Sequence, residues 1–465
     1  MPPLATVAGA GIPSVLRSAA YRERRGRILA ASLTTVAAAY VVWKITESPD
    51  QAVQFAFNGL SVGAVYALLA LGFTLVYSTV WFFDLYYGAA AAMGAYGVFY
   101  LRTSETIGGG HVNNPYVSAI FALVVAGVIA WVLYESIFIR LQRRNTHKSL
   151  YIAGGMLAGA TGIYTGFVLT NPDHLHLLLS PAVGAVAAVV AGWVVNRVIR
   201  RLFSNTGRTT PLAASVIVGS LFGACCGFLV AGAPEWRLYL SWGVSCLVAG
   251  AVGVALYRGL YVYMRKRARS PLIMLVASLG VLLAITAATA IVFESAPRPL
   301  PRAFGSEPWT IWGSNIKGFN IFTIGVAIAG FLGLLFLLKR TSLGRTIRAI
   351  GDDEEVAKVV GINTTVVIAI VFFIGAVFAA AAGLLSGHDT AIQPRMGLLL
   401  MLKGWIASVV GGMGNLYGAV VGGFALGMVE QFGIWDLAGE WKDVISFVIL
   451  ILFLSFWPRG LLPRG

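Results

Sequence analysis

The chain has 465 residues, of which 58% are hydrophobic and only 11% charged, and it carries a formal net charge of +15. A water-soluble domain would carry about 25% charged residues, so a soluble enzyme or soluble scaffold is excluded and lipid hydrocarbon is the chain's main solvent. The basic excess does not point to nucleic acid. It is gathered in short stretches between apolar segments: Arg17, Arg22, Arg24, Arg25 and Arg27; Arg140, Arg143, Arg144 and Lys148; Arg197, Arg200, Arg201 and Arg208; Arg258, Arg265, Lys266, Arg267 and Arg269; Lys339, Arg340, Arg345 and Arg348. That is the positive-inside pattern of cytoplasmic loops.

Fourteen apolar segments follow one another, at about 28–46, 52–79, 84–101, 116–139, 149–170, 181–200, 211–231, 236–257, 270–293, 321–338, 364–386, 395–411, 415–432 and 441–457. They predict an all-α, polytopic transmembrane helical bundle. Segment 395–411 is short enough to be re-entrant. Alternation from a cytoplasmic N-terminus puts every basic cluster inside and returns Arg459 and Arg464 to the cytoplasm. The basic stretch before residue 28 has the flanks of a signal peptide too, but it reads better as the lead-in to a retained first helix. The 55 glycines suit close backbone approach between helices, because lipid supplies no hydrophobic force to press them together.

Between about 119 and 293 three units each read as apolar span, basic turn, apolar span, with Pro211 and Pro271 at equivalent places. Duplicated hairpins explain the pattern; so do similar hairpins arising independently. Cys225, Cys226 and Cys246 fall inside apolar segments and read as small buried hydrophobes. Asp173, His174 and His176 lack the further ligands a metal needs and read as a solvated loop, so no metal site and no catalytic residues are expected. No Gly-x-x-x-x-Gly-Lys-Ser/Thr loop occurs, so ATP used by this protein would be bound by another polypeptide.

Ionisable groups within hydrocarbon cost at least about 2.5 kcal/mol and persist where they are paired or wet. Lys403 and Glu430 lie in adjacent predicted spans and form a candidate intramembrane charge pair, either structural or part of a transport route. Asp84 and Glu135 lie near span ends, within reach of the interface. Gly411 to Gly427 spaces small residues at four-residue intervals around a Gly-Asn step that can break the helix. The most diagnostic stretch is the charged island 339–363. Read as a helix over 341–361, it places Arg345, Arg348, Asp352 and Glu355 on one face. A helix on the membrane surface that docks a soluble partner accounts for this mixed charge better than an unused loop.

Four stretches resemble the permease subunits of branched-chain amino-acid-type ABC importers, a family with urea and amide relatives. They are Asn58-Gly59-Leu60 through Tyr66-Ala67-Leu68 to Gly72-Phe73-Thr74-Leu75-Val76-Tyr77; Ser270-Pro271-Leu272 to Ser278-Leu279-Gly280; Gly344 to Asn363; and Met401-Leu402-Lys403-Gly404 through Gly411-Gly412-Met413-Gly414 to Gly418, with Glu430, Lys442-Asp443-Val444 and Pro458-Arg459-Gly460-Leu461. Where the family commonly reads Asn-Phe-Ala-His-Gly-Glu, this chain has Asp84-Leu85-Tyr86-Tyr87-Gly88-Ala89; if that element faces the translocation path, leucine-like specificity does not carry over.

The resemblance implies an organisation: an N-terminal basic segment and extra helix (1–50), the first part of a permease core (51–139), inserted hairpins at the periphery (140–257), and the rest of the core with a cytoplasmic coupling helix (258–465). It implies an inward carrier of branched-chain amino acids or a related small polar solute in the plasma membrane of a prokaryote. Its partners would be cytoplasmic ABC ATPase subunits, a second permease subunit and an extracytoplasmic solute-binding protein. ATP and Mg would be bound by the ATPases, leaving no cofactor in this chain. Asn58, Tyr66, Asp84 and Tyr87 are assigned to the transport path; Arg345, Arg348, Asp353 and Glu355 to ATPase coupling. An ion- or proton-coupled carrier using Asp84, Lys403 and Glu430 as a relay, and a non-transporting membrane scaffold, are the alternatives.

Overall fold

The computed structural model describes residues 39–40, 42–103, 120, 123–133, 148–202, 209–267, 271–300, 308–311, 314–456 and 460–462. Its elements in order are α1 (Pro49–Val80), α2 (Tyr86–Thr103), α3 (Lys148–Thr170), α4 (Leu175–Leu202), α5 (Thr209–Ala231), α6 (Trp236–Leu256), a π-helical turn (Tyr257–Tyr261), α7 (Val262–Arg267), α8 (Pro271–Phe293), β1 (Pro308–Ile311), β2 (Ser314–Lys317), α9 (Gly318–Arg340), α10 (Ser342–Asp352), α11 (Glu354–Val359), α12 (Thr364–Asp389), α13 (Met396–Gly411), α14 (Leu416–Gly433) and α15 (Trp441–Phe456).

Each apolar segment that falls on described residues is helical. Six helices are long and apolar enough to cross a membrane: Pro49–Val80, Pro172–Arg197, Trp236–Arg265, Leu272–Phe293, Gly318–Arg340 and Thr364–Asp389. A seventh arises if α13 and α14 are one broken span. Fourteen crossings are therefore not reached among the described residues. The segment at 28–46 lies largely outside them, 116–139 is represented by Leu123–Leu133, and Ser215–Ala231 is a shorter apolar helix. Glu135, the basic residues at 17–27 and 140–144, Arg459 and Arg464 lie outside the described residues.

Two features depart from the sequence expectation. β1 and β2 pair antiparallel, Trp309 opposite Ile316 and Thr310 opposite Asn315, so the helical bundle carries one small ribbon. The charged island is not one helix. Asp353 takes extended geometry (φ −157°, ψ 112°), ending α10 and capping α11, and its carboxylate accepts from the backbone of Glu355 (2.8 Å) and Val356 (3.0 Å). A carboxylate satisfies the free N–H groups of a new helix better than it supports a continuing one.

The chain divides into two compact units. One comprises residues 1–70, 304–328 and 403–465, the other 71–303 and 329–402, with α1, α9 and α13 contributing to both. In the first unit α1 and α14 meet through small residues: a methyl on Gly63 would stand 2.8 Å from Phe424 Cα. The direction of the chain turns through 118° between α13 and α14. Asn415 caps α14 through Tyr417 N (3.0 Å), and its amide donates to Leu462 O (3.1 Å), while Leu461 N and Leu462 N donate to Val410 O and Gly411 O at 2.9 Å. The returning segment thus ties down the break.

In the second unit α2 packs against α6 and α12. Tyr96, Phe99 and Tyr100 gather around Phe293, with Leu175 and Ile392 fully buried beside them. α4 and α5 pack mainly on each other, through Gly184, Gly192, Gly219 and Gly223, and expose Val189, Leu221 and Phe228. α6 behaves differently, although the sequence reading grouped it with the insertion. Its Ala249 carbonyl accepts the Tyr86 hydroxyl (2.7 Å), and its Gly250 lies against Phe373 of α12.

Candidate functional site

In the first unit, two ionisable residues from different helices meet in an apolar interior. Glu430 on α14 is 0% exposed. Tyr66 of α1 donates its hydroxyl to Glu430 Oε2 at 2.6 Å, Lys403 Nζ of α13 lies 3.3 Å from Oε1, and Ser446 of α15 also donates to Oε1. Lys403 additionally reaches the Tyr66 hydroxyl (3.1 Å) and Asp443 Oδ1 (2.9 Å). The structure brings the expected pair Lys403 and Glu430 together and adds Tyr66, expected on the path, to the same network. Asp443 was visible only as part of a motif, and Ser446 carried no sequence signal. Asn58, half-buried, accepts from Asn320 Nδ2 at 3.2 Å.

The second unit holds Asp84 and Tyr87. Asp84, 5% exposed, accepts from Tyr86 N (3.1 Å) and from the hydroxyl of Tyr261 (2.8 Å), which sits in the π-helical turn. Tyr87 is buried with its hydroxyl over Gly72 of α1, where α12 also approaches. Tyr66, Asp84 and Tyr87 are thus packed among protein groups rather than facing open space. Asp173 is held by Arg237 at 3.2 Å, and among the described residues no three His, Cys, Asp or Glu side chains converge as metal ligands.

The same unit carries the charged island. Gly344, Ile347 and Ile350 form the buried face of α10, leaving Arg345 and Arg348 exposed. Thr341 caps α10 through Gly344 N (3.1 Å), and Gly361, at φ +88°, turns the chain out of α11. Because the helix breaks, Arg345 and Arg348 lie on α10 and Glu355 on α11, without one continuous charged face. At the tip, Val356, Val359 and Val360 are 58%, 87% and 75% exposed. Three exposed valines among charges make an uncovered apolar knuckle. Sequence reasoning passed over them, although apolar residues at steps of three and four inside a charged run are their signal. Behind the knuckle, Glu354 bridges Arg265 of α7 and Lys358 (2.9 Å). Partial burial works to raise the Glu354 carboxyl, but the Lys358 hydrogen bond and the Arg265 charge outweigh it and hold it below the ordinary carboxylate value.

Comparison with known proteins follows the same lines. A family model described as branched-chain amino acid transport system / permease component matches residues 182–454, so it takes in α4 to α6 as well as the charged island. The high-affinity branched-chain amino acid transport system permease protein LivH of Escherichia coli (strain K12) is 34% identical over 236 residues, 49% of this chain and 76% of its own length. BraD of Pseudomonas aeruginosa, described in the same words, is 33% identical over 231 residues, 48% of this chain and 74% of its own. The fructose import permease protein FrcC of Rhizobium meliloti is 34% identical over a shorter 165 residues, 32% and 45%. No solved structure matches. With an interior of apolar helices sealed around a buried charge network, and the match extending across more than half the chain, this multi-pass membrane protein belongs to the branched-chain amino acid transport permease family.

Proposed function

We propose that the chain is the membrane-spanning permease subunit of an ATP-driven importer for a branched-chain amino acid or a related small polar solute. The observation that carries this reading is the docking element α10–α11: an amphipathic helix seated by Ile347 and Ile350, followed by a capped short helix that presents bare valines flanked by Arg345, Arg348 and Glu355. Apolar knuckles ringed by charge suit a groove in a soluble partner, and the partner this reading supplies is a cytoplasmic ABC ATPase that binds ATP and Mg and performs the hydrolysis. A second permease subunit and an extracytoplasmic solute-binding protein complete the assembly, in the plasma membrane of a prokaryote. Asp353 acts by building the element rather than by touching the ATPase.

On the fourteen-segment count the basic loops, the termini and the docking element are cytoplasmic, and a re-entrant α13–α14 pair would remove two crossings together and leave the C-terminus on that side. Of the residues assigned to the path, Asn58 has the exposure for it; Tyr66 and Tyr87 hold helices together in this state. Access to the solute would alternate through differential contacts of the docking element with the ATPase in its two nucleotide states.

The tagged chain, isolated from its own membranes with its bound subunits and placed in vesicles, is expected to accumulate radiolabelled leucine only with ATP and Mg on the docking side. Replacing Val359 and Val360 together by Asp should abolish uptake while leaving the chain in the membrane. Uptake that follows an imposed membrane potential without ATP would overturn the reading in favour of ion coupling through Lys403 and Glu430. Absence of flux for both leucine and fructose would favour a scaffold.

A further inference from the structure

The connection between α1 and α2, residues 81–85, is five residues long and gripped from three directions within the second unit. The Trp81 indole N–H donates to Gly351 O in the last turn of α10 at 3.1 Å, and Trp81 packs on Tyr77 with ring centroids 5.8 Å apart. Gly351 lies directly on the end of α1: a methyl there would stand 2.6 Å from Ser78 O. Phe82 is buried against Tyr261 of the π-helical turn (5.7 Å, edge-on) and Phe372 of α12 (6.1 Å, stacked). Asp84 then accepts the Tyr261 hydroxyl.

On the far side of the turn, Tyr257 stacks on Phe372 at 4.8 Å and Arg265 pairs with Glu354 of α11. Two of the docking element's contacts, through Trp81 and through Arg265, lead to the five residues Tyr257–Tyr261. A π-helical turn holds an extra residue that a helix can lose by slipping register, and a packed aromatic cluster passes displacement on rather than absorbing it.

We propose that the 81–85 strap is the relay between the docking element and helix α6–α7, with Asp84 acting as a positioning residue that fixes the π-helical turn through Tyr261. A shift of α10 pulls the strap through Trp81; the Asp84–Tyr261 hydrogen bond and the Phe82 contact hand it to the turn, and α6 moves with it. Asp84 touches no solute in this role. This inference rests on the importer reading, which supplies the force, but the mechanical link is testable without it.

Two variants break the link, Asp84→Ala and Tyr261→Phe, and Asp84→Asn keeps an oxygen that accepts from the tyrosine. Hydrogen–deuterium exchange on the detergent-purified chain reads the link alone. Asp84→Ala and Tyr261→Phe should both raise exchange across 257–263 and across 344–352, with Asp84→Asn close to wild type; unchanged exchange across 344–352 overturns the relay. In the reconstituted complex, leucine transported per ATP hydrolysed should fall about tenfold in both breaking variants, with ATP hydrolysis kept within about twofold, and return in Asp84→Asn. Transport and hydrolysis falling in proportion, or failure of Asp84→Asn to restore the ratio, would overturn it as well. A wild-type complex without ATP-driven uptake would sink the importer reading while the exchange result still judged the strap.

Discussion

Glu430 and Asp84 are both carboxylates sealed from solvent, and the protein treats them in opposite ways. Glu430 has a cation 3.3 Å away, two hydroxyl donors, and a second carboxylate, Asp443, sharing the same lysine. Asp84 has a tyrosine hydroxyl and one backbone amide, and among the described residues no cation stands within ion-pair distance. The first arrangement joins four helices, α1, α13, α14 and α15, around a charge that cannot be left alone. The second joins a five-residue turn to a π-helical turn through neutral donors, a contact weak enough to be made and broken. Stability should therefore hang on Glu430's surroundings and movement on Asp84's.

The largest effect should come from stripping the cation. Lys403→Met leaves Glu430 fully buried against hydroxyls alone, and breaking a buried pair by removing one partner costs about 3–5 kcal/mol. Thermal unfolding in detergent should drop steeply, and the double variant Lys403→Met with Glu430→Gln should recover most of the loss. Equal destabilisation by single and double variants would show that the pair is not coupled and would dissolve the contrast with Asp84.

A smaller loss, about 1–3 kcal/mol, is expected for Tyr66→Phe, which removes one donor from Glu430 while Lys403 and Ser446 remain. The comparison sharpens further with the isosteric amides. Glu430→Gln leaves Lys403 with Asp443 as its remaining carboxylate partner, whereas Asp84→Asn keeps an acceptor for Tyr261 and abandons no cation. Thermal unfolding should rank Glu430→Gln clearly below Asp84→Asn, with the latter within about 1 kcal/mol of wild type. The reverse order would mean that Asp84 compensates a charge supplied from elsewhere.

Much of this is legible in the amino-acid sequence. Apolar runs bounded by basic turns placed the helices, and two ionisable residues inside such runs, Lys403 and Glu430, named their own pair because hydrocarbon leaves such groups few alternatives. Asn415 within a glycine run marked the break between α13 and α14. The rest depends on tertiary competition. Asp353 could have continued a helix or capped one, and local sequence does not say which until Ile347, Ile350 and Ala357 have been buried. Tyr261 looks like any interfacial tyrosine until the fold brings it to Asp84, 177 positions away. α6 resembles its peripheral neighbours in composition; only its meeting with Tyr86 and Phe373 places it inside.

The smallest effect belongs to the one carboxylate of the docking region that is partly wet. Glu354 is held between Arg265 and Lys358, and its side chain is 17% exposed against 36% for Arg265. Its carboxyl lies below the ordinary carboxylate value when folded, so its ion pairs contribute fully above the unfolded value and are lost as pH falls through the lower folded one. Solvent at Arg265 and Lys358 screens these partly exposed pairs, which contribute about 0–1 kcal/mol. The unfolding temperature of Glu354→Gln should therefore trail wild type slightly at pH 7 and converge with it as the sample is taken below pH 4, and 1 M salt should close the gap at pH 7 by screening. A gap that widened on acidification would mean that Glu354 is stabilised protonated, as a buried acid would be, and would move it from the class of Glu430's surroundings, where charge decides, to that of Asp84, where neutral hydrogen bonds do.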